Sequence, residues 1–257
     1  ERPKVIHNPK TGKFVMWFHL EMKGKGYSAA RAGVAVADKV TGPYVFKESF
    51  RLNAGKWPKD VAEGTAMPGD GIWKRDLQGG QMSRDMTLFV DDDGKAYHIT
   101  ASEDNKTLHI SRLTDDFLRS SGEYVRVFPG ESHEAPAIFK HRGKYWMFSS
   151  HCTGWSPNPG RLSSADSIWG PWQSHGTPCV GPEDRLKTTF DSQSTFVIPV
   201  AGKPGAFIFM ADRWRPKNAI DGRYVWLPVE FGDDGKPTIR EHGSWDLSIF
   251  DNTRSGR

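Results

Sequence analysis

The sequence predicts an all-β fold of the propeller type, on three observations. Short aromatic and β-branched runs alternate with a period of two. No window of twelve residues carries the apolar stripe of an amphipathic helix. Four segments share one design, in which a polar anchor opens a short apolar strand, a turn with glycine follows, and a strongly apolar strand returns. The anchors are Glu1, Asp85, Glu134 and Gln193, and the turn glycine stands eleven residues on at Gly12 and nine on at Gly94, Gly143 and Gly202. A sandwich would account for the strands but not for a polar residue at the head of every unit. Blades around an axis do account for it, because their first strands meet at a central pit.

The elements follow in order. The first unit has a hairpin about Gly12, a third strand in Gly33-VAVA, a turn at Gly42-Pro43 and an aromatic opening a fourth strand. An insertion, residues 51–82, comes next; it is glycine-rich, without periodicity, and reads as a long loop rather than a blade. Its Trp57 and Trp73 make it either a surface excursion or a wall against a bound polymer. The second unit has a hairpin about Gly94 and a third strand in Asn105-KTLHISRL. The third repeats the pattern of the first, with its turn at Gly170-Pro171. The fourth opens at Gln193 and returns through Gly202. The whole chain, residues 1–257, reads as a single repeat body.

Composition narrows the function. The 257 residues carry 35 basic and 31 acidic side chains, a balance of +4 with the basic residues scattered, so a nucleic-acid groove is not expected. No apolar run is long enough to cross a membrane as a helix. The nine histidines never fall in a metal-ligand spacing, and Asp91-Asp92-Asp93-Gly94 belongs to a hairpin as an acidic turn, so neither metal nor cofactor is expected. Cys152 and Cys179 allow one bridge or two thiols. Ser192 and Ser194 lack a nucleophile elbow. His98, His133 and His151 end or adjoin apolar strands and are expected in the core or at a rim. Ten tryptophans are more than a core of this size needs, and tryptophan stacks on the flat apolar faces of sugars. Trp17 alternates within a buried strand, whereas Trp155 lies in a polar segment and is the better stacking candidate.

Any one anchor taken alone is a strand-start residue accepting backbone hydrogen bonds. Four in one phase are something more. Carboxylates gathered in a partly dry pit raise one another's pKa, which is how a chain obtains a protonated acid near neutral pH. Arg2 and Arg84 stand beside Glu1 and Asp85 to balance charge or to bind sugar oxygens. Such a pit suits an uncharged, ring-shaped ligand, and glycoside hydrolysis is the reaction that needs a carboxylic acid together with a second group directing water.

The ordered set Glu1-Arg-Pro-Lys-Val, Met16-Trp-Phe-His, Ser83-Arg-Asp-Met, His133-Glu-Ala-Pro, Asp191-Ser-Gln-Ser and Tyr224-Val-Trp-Leu-Pro resembles glycoside hydrolase family 43, and within it the exo-β-1,3-galactanase branch. The resemblance implies a five-bladed β-propeller, of which four blades are identifiable and the first is expected upstream of residue 1. It implies that Glu134 is the general acid, that Asp85 stays ionised nearby and orients it, that Gln193 positions the attacking water, and that Glu1 binds the terminal sugar. It further implies release of galactose from the non-reducing end of β-1,3-galactan, the arabinogalactan backbone, with inversion, by a monomeric extracellular or periplasmic protein. An arabinofuranosidase or xylosidase of the same fold and a non-catalytic sugar-binding propeller are the alternatives; the Gln193 match speaks against the first pair, and the presence of both Asp85 and Glu134 against the last.

Overall fold

The computed structural model describes residues 1–251, so the last six residues of the 1–257 reading lie outside the described residues. Two compact units divide the chain, one from Glu1 to Glu134 and one from Ala135 onward.

In the first unit, β1 (Lys4–Asn8), β2 (Lys13–Leu20), β3 (Arg31–Ala37) and β4 (Val45–Phe50) form an antiparallel meander in chain order. Alternation sets its register: Val15, Trp17 and His19 of β2 are buried while the residues between them are only partly so. The insertion follows, with one short helix, α1 (Asp70–Asp76). A second meander comprises β5 (Met86–Val90), β6 (Ala96–Ser102), β7 (Thr107–Leu113) and β8 (Ser120–Val127). Strand β6 is buried along its whole length, as a strand covered on both faces must be. The two sheets share a core of Val15, Trp17, Val34, Met86, Leu88 and neighbouring residues.

The second unit repeats this construction. Strands β9 (His133–His141), β10 (Lys144–His151), β11 (Arg161–Ala165) and β12 (Gln173–Ser174) make the third meander. After β13 (Cys179–Val180) and the single turn α2 (Glu183–Leu186), the fourth is built from β14 (Gln193–Pro199), β15 (Phe207–Arg213), β16 (Arg223–Phe231) and β17 (Pro237–Arg240), with β13 joining β17 in parallel. Phe139, Phe148, Phe190, Phe209 and Leu227 are central to its core.

The all-β class and the four blade-type meanders agree with the sequence reading. All four anchors stand at or just before the first strand of a meander, and the four hairpin glycines, Gly12, Gly94, Gly143 and Gly202, have φ of 67°, 78°, 78° and 75°. A side chain there would be strained, which is why glycine recurs at the same phase. Trp17 is fully buried in the core, as expected. So is His98, which packs 4.9 Å from the Trp17 ring. His133 is buried and stacks on Phe128.

One expectation needs correction. Residues 51–82 are not a structureless loop. Leu52 and Gln81 pair backbone to backbone and close the insertion at its base. Trp73 of α1 is fully buried, its indole N–H donates to the Tyr124 hydroxyl of β8 at 2.7 Å, and that hydroxyl donates to the Lys56 carbonyl at 3.0 Å. Trp57 meets Trp73 edge to face at 4.8 Å. The Trp73 ring therefore serves as the insertion's own core against blade two rather than as a surface presented to a polymer. Among the described residues no helix is long and apolar enough to cross a membrane.

Candidate active site

Each anchor stands at or beside the start of the first, edge strand of its sheet, Glu134 being the second residue of β9. In the first unit these starts are tied together. Glu1 is gripped on both oxygens: the Tyr27 hydroxyl donates to Oε1 at 2.7 Å, and His19 Nδ1 lies 3.3 Å from Oε2. The other ring nitrogen of the buried His19 meets Glu21 Oε1 at 2.7 Å, and Glu21 also accepts the backbone N–H groups of Ala29 and Ala30. The hydrogen bond from His19, aided by Tyr27 and opposed by partial burial, holds the Glu1 carboxyl down at about 2. The same contact with Glu1 pushes the Tyr27 phenol up to about 12, and the charges of Asp85 and Glu21 act in the same direction.

Arg2, next along the chain, is buried with φ of 51°, and its Nε donates to Asp85 Oδ1 at 3.2 Å. Beside Asp85, Arg84 donates from Nη2 to the Tyr27 carbonyl at 3.0 Å and to Asp104 Oδ1 at 3.2 Å. Asn105 then donates from Nδ2 to Glu134 Oε1 at 2.6 Å. Glu1, Arg2, Arg84, Asp85 and Glu134, five residues singled out from sequence, thus belong to one connected set, completed by Tyr27, His19, Asp104 and Asn105. Sequence reasoning missed those four. Tyr27 lies in an aperiodic loop, His19 ends a strand, and Asp104 and Asn105 sit in a turn; the nearest signal was an exposed tyrosine among glycines, Gly24-Lys-Gly-Tyr.

In the second unit Gln193 is held at both ends of its amide. Nε2 donates to Ser150 Oγ at 2.9 Å, and Oε1 accepts the Trp214 indole N–H at 3.3 Å. A bulge between Ser194 and Phe196 locally bends β14 just beyond Gln193. Gln193, Trp155, Trp214, Asn158, Asp191 and Arg215 line a cavity of about 160 Å³. Trp155 is half exposed and meets Trp214 edge to face at 5.1 Å, so the expected stacking residue and the expected water-positioning residue share a wall. The Arg185 guanidinium, 2.5 Å from Asp191, lowers that carboxyl below its ordinary range. Ser192 and Ser194 donate to the carbonyls of Thr189 and Ala135, a structural use of both hydroxyls. Among the described residues no group of three or more His, Cys, Asp or Glu side chains is placed to hold a metal ion.

Chemically, the first unit offers a carboxyl whose Oε1 accepts from an asparagine amide, a second carboxylate paired to a buried arginine, and a fixed anionic acceptor. The second offers an amide beside two indoles. The family model for glycosyl hydrolases family 43 matches residues 6–237. A family 43 β-1,3-galactosidase solved with galactodeoxynojirimycin is similar at 52% identity and a TM-score of 0.92, over 96% of this chain and 76% of that one. An exo-β-1,3-galactanase from Clostridium thermocellum is similar at 35% identity and a TM-score of 0.77, over 93% of this chain and 48% of that one. A glutamate-to-glutamine variant of an exo-β-1,3-galactanase from Phanerochaete chrysosporium, solved with β-1,3-galactotriose, is similar at 34% identity and a TM-score of 0.77, over 97% of this chain and 51% of that one. The chain therefore spans about half the length of the last two. No curated protein matches it.

Proposed function

The chain belongs to glycosyl hydrolase family 43, and from that membership we propose that it is an exo-acting galactosidase that cleaves β-1,3-galactan, the backbone of arabinogalactan, with inversion. The observation that carries this reading is the first-unit constellation, in which Glu134 Oε1 accepts from Asn105 while Asp85 is charge-paired and Glu1 is fixed as an anion. The likeness to β-1,3-galactosidases supports the choice of sugar.

In this reading Glu134 carries a proton on its carboxyl and gives it to the glycosidic oxygen as the C1–O bond breaks with its electron pair on that oxygen. A water adds to C1 and loses a proton to solvent, and Glu134 recovers its proton from solvent. Gln193 orients that water; an ordinary amide is a poor proton acceptor, so its part is to hold a lone pair in line. Asp85, with Arg2 balancing its charge, keeps negative potential near the acid and so favours the protonated form that the acid needs. Glu1 accepts hydroxyls of the terminal galactose, and Trp155 with Trp214 offers apolar ring faces to a sugar.

The test is a product assay on β-1,3-galactan, arabinan and xylan, followed by proton NMR of the first product. Galactose should be released from galactan alone and appear first as the α anomer. Arabinose or xylose without galactose would overturn the specificity, and initial β-galactose would overturn inversion. Glu134→Gln should lower turnover on galactan by at least about 10²-fold, as loss of a positioned acid does.

A further inference from the structure

We propose that the turn Glu103-Asp104-Asn105 is a positioning device for Glu134, with Asn105 fixing the carboxyl and Arg75 of the insertion bracing the turn. The inference rests on the reading of Glu134 as the acid.

Three consecutive non-glycine residues of this turn lie in the left-handed region, with φ of 53°, 56° and 65°. Such a run persists only where its surroundings over-determine it. Here they do. The Glu103 side chain is buried and accepts from Thr107 Oγ1 at 2.9 Å and from Arg126 Nε and Nη2 at 2.7 Å each, and it meets His109 Nε2 at 2.7 Å. Asp104 receives two guanidinium groups, Arg84 at 3.2 Å and Arg75 at 3.1 Å. Asn105 is thereby left aiming its amide at Glu134 Oε1, 2.6 Å away. The approach to Glu134 is tied to the same place, since the Ser132 N–H donates to the Lys106 carbonyl and the Gly130 N–H to Thr107 Oγ1.

The chemical consequence concerns orientation. A carboxyl whose Oε1 accepts from Asn105 is held in one plane and at one reach, so the proton it gives is delivered along a fixed direction.

The insertion reaches the acid through this turn. Arg75 lies on α1, where it also clamps Asp76 at 2.8 and 2.7 Å, and Arg126 donates to the Pro68 and Gly69 carbonyls just before that helix. Through Arg75 and Asp104, residues 51–82 thus act on the reaction from behind the acid.

Leaving-group dependence tests this. Asn105→Ala, Arg75→Ala and Glu134→Gln are compared on β-1,3-galactobiose, whose leaving oxygen must be protonated, and on 2,4-dinitrophenyl β-galactoside, whose leaving group departs without a proton. Asn105→Ala should lower kcat on the disaccharide by about 10- to 100-fold, with KM within about twofold and the dinitrophenyl rate nearly unchanged. Arg75→Ala should show the same selective pattern at about 3- to 10-fold, and Arg75→Lys should restore most of it. Equal losses on both substrates for Asn105→Ala, or a change confined to KM, would overturn the positioning role. If Glu134→Gln itself shows no selectivity between the substrates, the acid assignment fails; if it does and Asn105→Ala does not, only the device fails.

Discussion

Glu1 accepts from Tyr27 at 2.7 Å and faces a buried His19 at 3.3 Å, so its carboxylate is both oriented and held ionised at about 2. A sugar hydroxyl meeting it finds an acceptor already in place, and little ordering remains to be done on binding. Tyr27→Phe removes one of the two grips. Galactose affinity measured by calorimetry should fall by about 3- to 10-fold, the net worth of one ordinary hydrogen bond, with the folded state retained; unchanged affinity would take Glu1 out of the sugar site. The repeat singled out Asp85, Glu134 and Gln193, each nine residues before its hairpin glycine, and Glu1, eleven before Gly12, because hairpins of one design put equivalent residues at equivalent places. It could not reveal Tyr27 or Asn105. Their contacts with Glu1 and Glu134 join residues 26 and 29 apart through irregular backbone, where no period links one partner to the other.

Among the elements, strands were legible and the insertion was not. Strand β2 announces itself because Val15, Trp17 and His19 point one way with a period of two. The helix α1 spans only seven residues, too few for a 3.6-residue period to be seen, and it has no side-chain N-cap to mark its start. What keeps it in place is tertiary: the buried Trp73 and its hydrogen bond to Tyr124. Trp73→Ala should therefore destabilise the chain by about 3–5 kcal/mol, the usual cost of emptying a buried aromatic site, read from the urea midpoint. A loss below about 1 kcal/mol would show that the insertion is not packed as described.

For the whole molecule, acid removes a contribution to stability that the paired Glu103 carboxyl makes near neutral pH. Burial alone would raise the Glu103 carboxyl, but hydrogen bonds from Arg126 and His109 outweigh it and hold the group at about 2, below its ordinary 4.5. A carboxyl depressed on folding stabilises the native state above its unfolded pKa, and that contribution is lost as pH falls from 4.5 toward 2. Between pH 6 and pH 3 the stability advantage of the parent over Glu103→Gln should shrink by about 2 kcal/mol, from the linkage relation applied to this shift. Urea midpoints of both proteins at the two pH values measure it, and a gap that stays constant would mean that Glu103 is not ionised and paired in the fold. Nothing in the sequence distinguished Glu103 from a surface glutamate. Its partners Thr107, His109 and Arg126 are polar residues on β7 and β8, and only the pairing of those strands brings them inward.

The grip on Glu1 has a consequence for natural polysaccharides, whose hydroxyls are often acetylated or methylated. A carboxylate fixed as an anion can only accept; it has no proton to offer to an ether or ester oxygen. If it receives the terminal galactose, any chain end whose contacting hydroxyl has lost its hydrogen to a substituent brings an acceptor against an acceptor, and the hydrogen bond that a free hydroxyl would give is lost. The protein would then read decoration as well as ring identity, and a single acyl group at the terminus would protect an otherwise degradable polymer from it.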